Sequence, residues 1–232
     1  MNVVLTIIGV LLVLIIFYVI YINYFSNAKV LQKQIYLDGN VPAVLATIIS
    51  QPKSTRYAYS VWVFVNSWSN STDKIIFSRY NDIILQLDQN TATLSVTYKP
   101  TTGSSTGPSS VIGKSTDNVN GTKVAVTNNF PLQKWVYVTV SIDNTVTDIY
   151  LDGKMVKSVQ IPQVMPDNVS GIYYGNFDAY ISKFTRYNTP LDPQTVWNYY
   201  LQGNGTSNMT NGYNVQLSVM KNDAVTSQYK LF

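Results

Sequence analysis

Residues 3–22 read VVLTIIGVLLVLIIFYVIYI, twenty positions without a charged or amide side chain. No other feature constrains the chain as much. At about 1.5 Å per residue the run makes a helix of about 30 Å, the hydrocarbon thickness of a bilayer. Thr6 and Gly9 are tolerated because a helix satisfies its own backbone hydrogen bonds, and no polar face suits the run to an ordinary surface helix. Tyr18, Tyr21, Tyr24 and Phe25 gather at its downstream end, where amphipathic rings favour the headgroup region. A cleavable leader is the competing account, with Ser26-Asn27-Ala28 as its cleavage site. Against it, no basic residue precedes the run, and the run exceeds the usual length of about 7–15 residues. The expectation is an uncleaved single-pass anchor over residues 1–28, in contact with a lipid bilayer. Lys29 and Lys33 come just after the span and weigh only weakly on its orientation, so the side of the remaining chain stays open.

The rest of the chain is built without several common reagents. The 232 residues contain no Cys and no His, and all 12 acidic residues are Asp. Disulfide scaffolds, Cys/His zinc sites, Ser-His-Asp or cysteine nucleophile systems and glutamate acid/base pairs are excluded from this chain alone. The net charge of +4 does not point to nucleic acid. Only Arg56, Arg79 and Arg186 are arginines, and no basic cluster offers the concentrated charge that phosphate neutralisation needs. Five glycosylation sequons, at Asn70, Asn120, Asn168, Asn204 and Asn208, carry no weight in a chain so rich in Asn, Ser and Thr.

After a connector over 29–56, in which 41–49 is read as a first strand or short helix, β signals dominate. Residues 57–65, 74–79, 83–87 and 93–98 are short runs of Val, Ile, Tyr and Phe separated by polar turn clusters. Between Trp135 and Ile161 the pattern is clearest. Val136, Val138, Val140 and Ile142 alternate with Tyr137, Thr139 and Ser141, which predicts one buried face and one wet or partly covered face. Turns at Asp143-Asn144 and Asp152-Gly153 then make a three-strand meander, the Asp-Gly pair suiting a type I′ hairpin. A single short helix is expected after Asp192, with Pro193 at its first position and Gly203 as its stop. Residues 99–123 form a long Gly/Ser/Thr/Pro loop, and 213–232 read as closing strands or an arm. Together these elements predict an all-β sandwich over 57–232.

Five stretches carry a resemblance: Tyr59-Ser60-Val61-Trp62-Val63, Ile75-Ile76-Phe77-Ser78-Arg79, 132–140, Asp148 through Val156, and Ala179-Tyr180-Ile181-Ser182-Lys183-Phe184 continuing through Arg186-Tyr187 to Gly203. In this order they resemble the concanavalin A-like, laminin-G-like jelly-roll family. The resemblance implies a jelly-roll β-sandwich with one short helix, preceded here by the single N-terminal transmembrane helix. A domain of this kind on a membrane anchor is similar to membrane-associated virion proteins of large DNA viruses. The family's usual Gly before its final inward strand is shifted here to Gly175, with Asp178-Ala179 nearer the strand, a departure from the family's rim pattern. Glycoside hydrolases of the fold carry two glutamates and an aspartate on one strand. Residues 74–98 hold no Glu, so that activity is not implied.

Two kinds of site are suggested. For a glycan, Trp68 in a polar turn with Asn66, Asn70 and Asp73 offers an aromatic face beside amide and carboxylate groups, although a turn tryptophan can equally pack back on the sheet. For Ca2+, which needs several converging oxygens, Asp143, Asn144 and Asp148, or Asp117-Asn118 with Asn120, are candidates without a recognisable loop motif; no other cofactor is expected. Trp62, Trp135 and Trp197 read as core anchors. The sequence thus predicts a non-enzymatic, membrane-anchored structural or interaction protein. The first reading is a minor capsid component linking a virion's internal membrane to capsid or other shell proteins. The alternative is a single-pass protein with a glycan-binding head.

Overall fold

A computed structural model describes residues 3–25, 27–70, 74–98, 121–205, 216–221 and 224–230, with side chains described for 7–18, 27–70, 74–98 and 121–205. The apolar run forms α1 (Val3–Phe25), 23 residues without acidic or basic side chains in its terminal turns. Among the described residues no helix is long and apolar enough to cross a membrane. The backbone of α1, at 23 residues, is about 34 Å long. Tyr18 is exposed; the side chains of Tyr21, Tyr24 and Phe25 lie outside the described residues.

Two antiparallel sheets form the sandwich. The strands are β1 (Ala28–Tyr36), β2 (Arg56–Val65), β3 (Lys74–Arg79), β4 (Ile83–Leu87), β5 (Leu94–Tyr98), β6 (Thr122–Thr127), β7 (Val136–Asp143), β8 (Val146–Leu151), β9 (Lys154–Gln160), β10 (Ile172–Tyr173) and β11 (Ala179–Tyr187). One sheet has the order β1-β11-β2-β7-β8-β9 and the other β10-β3-β4-β5-β6. Alternation decides which side chains meet between them. Tyr57, Tyr59, Val61, Val63 and Val65 of β2 join Phe77, Ile83, Leu85, Leu94 and Val96 in one core, as the period of two requires.

The outer face of the six-stranded sheet departs from expectation. Tyr137, Thr139 and Ser141 are buried, not wet, because α2 (Pro193–Leu201) and the turn before it lie across them. Trp62 is buried in the same layer, whereas Trp135 and Trp197 are only half-buried. Asp192 caps α2 by accepting from the Thr195 amide, 3.0 Å away. The Ser141 hydroxyl both accepts from Leu191 N and donates to Leu191 O, which ties the helix approach to the sheet. Gly153, at φ +78°, completes the expected Asp-Gly turn. A Cβ there would sit 2.7 Å from Trp197 Cε3, so its close approach to α2 needs glycine.

Three regions are more specific than their sequence reading. The connector contains β1, an edge strand with a bulge between Val30 and Gln32; that bulge spoils the alternation that would reveal a strand. Residues 41–49 supply only a bridge from Val44 to Ile172 and a 3-10 turn, Ala46–Ile48, as Pro42 disfavours a continuous strand. β12 (Gln216–Lys221) and β13 (Ala224–Lys230) pair with each other as a separate hairpin and close neither sheet of the sandwich. Most of the long loop, 99–120, lies outside the described residues.

Candidate functional site

The sandwich has two chemically different ends. β1 leads away from α1, and its nine residues cover about 27 Å at about 3.3 Å per residue. Ala28, three residues after the end of α1, therefore marks the base of the sandwich, and Tyr36, at the other end of the strand, its rim.

At the rim, loops from several connections converge on Asp178. Its Oδ2 accepts from Asn66 Nδ2 at 2.9 Å and from the Ser67 hydroxyl, while Oδ1 accepts from the Tyr36 hydroxyl at 2.9 Å. The same Tyr36 hydroxyl also reaches Asp38 Oδ2 at 3.3 Å, and Gly39 N donates to Asn176 Oδ1 at 3.0 Å. The hydrogen bond from Ser67 first, opposed by desolvation and reinforced by those from Asn66 and Tyr36, holds the Asp178 carboxyl below its ordinary range. The hydrogen bond to Asp178 chiefly pushes the Tyr36 phenol up to about 12. Beside this cluster a row of rings crosses the outer sheet face. Tyr36 stacks on Tyr180 at 4.5 Å, Tyr180 meets Phe64 at 6.5 Å, and Phe64 meets Trp135 at 5.5 Å.

The structure places the predicted glycan residues unevenly. Asn66 belongs to the Asp178 cluster. Trp68 is half-buried against the core, its indole N–H donates to Asn70 Oδ1 at 2.9 Å, and Lys74 Nζ lies 4.1 Å from its ring centre. One ring face is therefore occupied by the protein's own cation. Asp73 lies outside the described residues. Sequence reasoning found Asn66 but missed Asp178, Asp38 and Tyr36, which only strand pairing brings to it.

The calcium candidates are not gathered into one site. Asp143 accepts from both Arg56 Nε, at 2.9 Å, and Nη2, at 3.2 Å, while Asn144 accepts from the Thr55 hydroxyl. Asp148 sits within β8 opposite Ser141, several positions beyond the turn. Among the described residues no group of three acidic side chains could hold a metal ion. Asp117, Asn118 and Asn120 lie outside the described residues.

The base holds a second cluster that no local motif marks. Arg79, Asp82 and Arg186 are all buried. Arg79 Nη1 contacts Asp82 Oδ2 at 3.2 Å, and the hydroxyls of Tyr57 and Tyr59 both donate to Asp82. Arg79 Nε and Nη2 and both terminal nitrogens of Arg186 clasp loops through backbone carbonyls: Arg79 reaches Pro52, Asp167 and Ser170, and Arg186 reaches Ser50 and Gln51. Burial pushes the Asp82 carboxyl up, opposed by Arg79, the Tyr57 hydroxyl and Arg186. Arg79 is thus paired directly with the buried anion, while Arg186 acts on it only through space, lying over the rings of Tyr57 and Tyr59 and donating to loop carbonyls.

The fold and its ring of loops define a lectin-type β-sandwich. A profile of the concanavalin A-like lectin/glucanases superfamily matches residues 38–204, and the chain belongs to that family. No curated protein sequence matches it. Among solved structures, the binding domain of botulinum neurotoxin DC in complex with rat synaptotagmin II superposes with a TM-score of 0.54, at 14% identity, over 75% of this chain and 46% of that one. A structure of botulinum neurotoxin type C, described as dependent for cell entry upon interaction with two ganglioside molecules, gives 0.53 at 15% identity over 73% and 42%. The botulinum neurotoxin type G receptor binding domain gives 0.50 at 14% over 75% and 46%. The chain thus spans less than half the length of these neighbours, and identities this low show the fold alone.

Proposed function

We propose that this protein is a non-enzymatic, membrane-tethered binding module whose sandwich presents its rim to a glycan. The observation that carries the proposal is the Asp178 cluster. Loops place carboxylate, amide and hydroxyl groups together at the end away from α1, beside a row of partly exposed aromatic rings. Sugars are bound by such planar amide and carboxylate groups with aromatic contact, and the solved neighbours include a toxin whose cell entry depends on gangliosides. The anchoring part of the proposal rests on the sequence: the twenty residues 3–22 carry no charged or amide side chain, the number a helix needs to cross a hydrocarbon layer.

The test is a glycan array probed with the full chain in nanodiscs, alongside Asp178→Ala and Asn66→Ala variants. A saturable signal lost in the variants is expected. An array silent for the unmodified protein would overturn glycan binding.

A second reading, a structural link between a virion's internal membrane and its shell proteins, rests on the aromatic row Tyr36–Tyr180–Phe64–Trp135. Aromatic side chains are enriched where proteins pack together. Crosslinking in the native particle that concentrates on a shell protein, with a silent array, would favour it.

A further inference from the structure

The base of the sandwich carries large exposed apolar side chains. Leu45 is 64% exposed, Ile48 44%, Met165 60% and Val169 78%. They are not scattered. Val44 exchanges both backbone hydrogen bonds with Ile172, and a Cβ on Gly171 would lie 2.5 Å from Val44 O, so the loop bearing Leu45 and Ile48 rests directly against the loop bearing Val169.

The buried arginines explain why these tips face outward. Arg79 draws the carbonyls of Pro52, Asp167 and Ser170 toward the interior, and Arg186 does the same to Ser50 and Gln51. Both loops are thereby pinned by their backbones, and the apolar side chains beside the pinned carbonyls are left on the outside. A second link fixes where this surface stands. Asn188 N donates to Asn27 O at 2.9 Å, and Asn188 Nδ2 donates to Ser50 Oγ at 3.1 Å. The apolar loop is thus hydrogen-bonded, through one residue, to the chain that leaves α1. Lys29 and Lys53 are exposed at the same end.

We infer that the base is a lipid-docking surface: Leu45, Ile48 and Val169 enter the headgroup–acyl boundary of the bilayer that holds α1, and the adjacent lysines meet its phosphates. Apolar side chains of interfacial segments sit about 5–10 Å into that boundary, with cations at the headgroups. Docking of this kind fixes the sandwich upright and holds the Asp178 rim away from the membrane. It rests on the anchoring part of the proposed function, and not on glycan binding.

The chain has no Cys, so a single introduced thiol is unique. The full chain is reconstituted in phosphatidylcholine/phosphatidylglycerol vesicles with Leu45→Cys, Val169→Cys or, in the exposed β4–β5 turn at the rim end of the second sheet, Asn90→Cys, each carrying an environment-sensitive fluorophore. Lipids with a nitroxide high on the acyl chain report depth, and alkaline carbonate extraction reports anchoring. The expected result is retention after carbonate, with labels at 45 and 169 blue-shifted and quenched about twofold or more, and the label at 90 unquenched. Retention without quenching at 45 and 169 would overturn docking and leave the anchor standing. Blue-shifted labels insensitive to the nitroxide would overturn it too, by showing that protein covers the base. Release by carbonate would overturn the anchor and the docking together.

Discussion

The Tyr36 hydroxyl donates to Asp178 Oδ1 at 2.9 Å across 142 positions of sequence. This bond joins the end of β1 to the loop before β11, and Asn66 and Ser67 complete it from a third connection. The rim is therefore a property of strand order.

Because the Asp178 carboxyl is held below its ordinary range, its contribution is present above the unfolded value of about 3.9 and lost as pH falls through the lower folded one. Acidification is expected to loosen the rim below about pH 4, seen as faster amide exchange at Asn66 and Ser67. Asp178→Asn should remove that pH dependence, and should return the Tyr36 phenol from about 12 toward about 10 in an ultraviolet titration. A late Tyr36 titration that survives the substitution would refute the assignment.

Removing Asp82 leaves Arg79 buried without its ion-pair partner and takes away the anion that also acts on Arg186. Asp82→Ala is expected to cost about 3–5 kcal/mol in denaturant unfolding of the full chain in detergent. A loss below about 1 kcal/mol would show that the loop carbonyls alone neutralise the pair.

Trp68 covers Lys74 and packs on the core. Trp68→Ala should therefore lower stability by about 1–3 kcal/mol, with Trp68→Phe losing less, and glycan binding by the folded variants should be unchanged. Lost binding at retained stability would make Trp68 a ligand contact.

Gly175 N donates to Ile75 O at 2.9 Å, and a Cβ on Gly175 would stand 2.5 Å from that same oxygen. Gly175→Ala forces the loop before β11 off β3. The expected cost is about 1–3 kcal/mol, read as a lower denaturation midpoint; an unchanged midpoint would mean the loop shifts freely.

Local chemistry determined much of this protein. Strands β3, β4 and β8 stand where short apolar runs between polar turns predict them, because alternation along a half-buried strand is a local signal. Asp192, Pro193 and Gly203 mark the helix that forms between them, and the apolar run of residues 3–22 dictates α1. Other features depend on partners distant in sequence. The bulged edge strand β1 exists because β11 pairs with it, and Ser141 is buried because the approach to α2 crosses its sheet face. Asp143, read as a possible metal ligand, is taken by Arg56 from another strand. Periodicity reports which face of an element is apolar. Which carboxylate meets which guanidinium or phenol is set by strand order and register, and so only the tertiary structure could assemble the Asp178 rim and the Arg79–Asp82–Arg186 base.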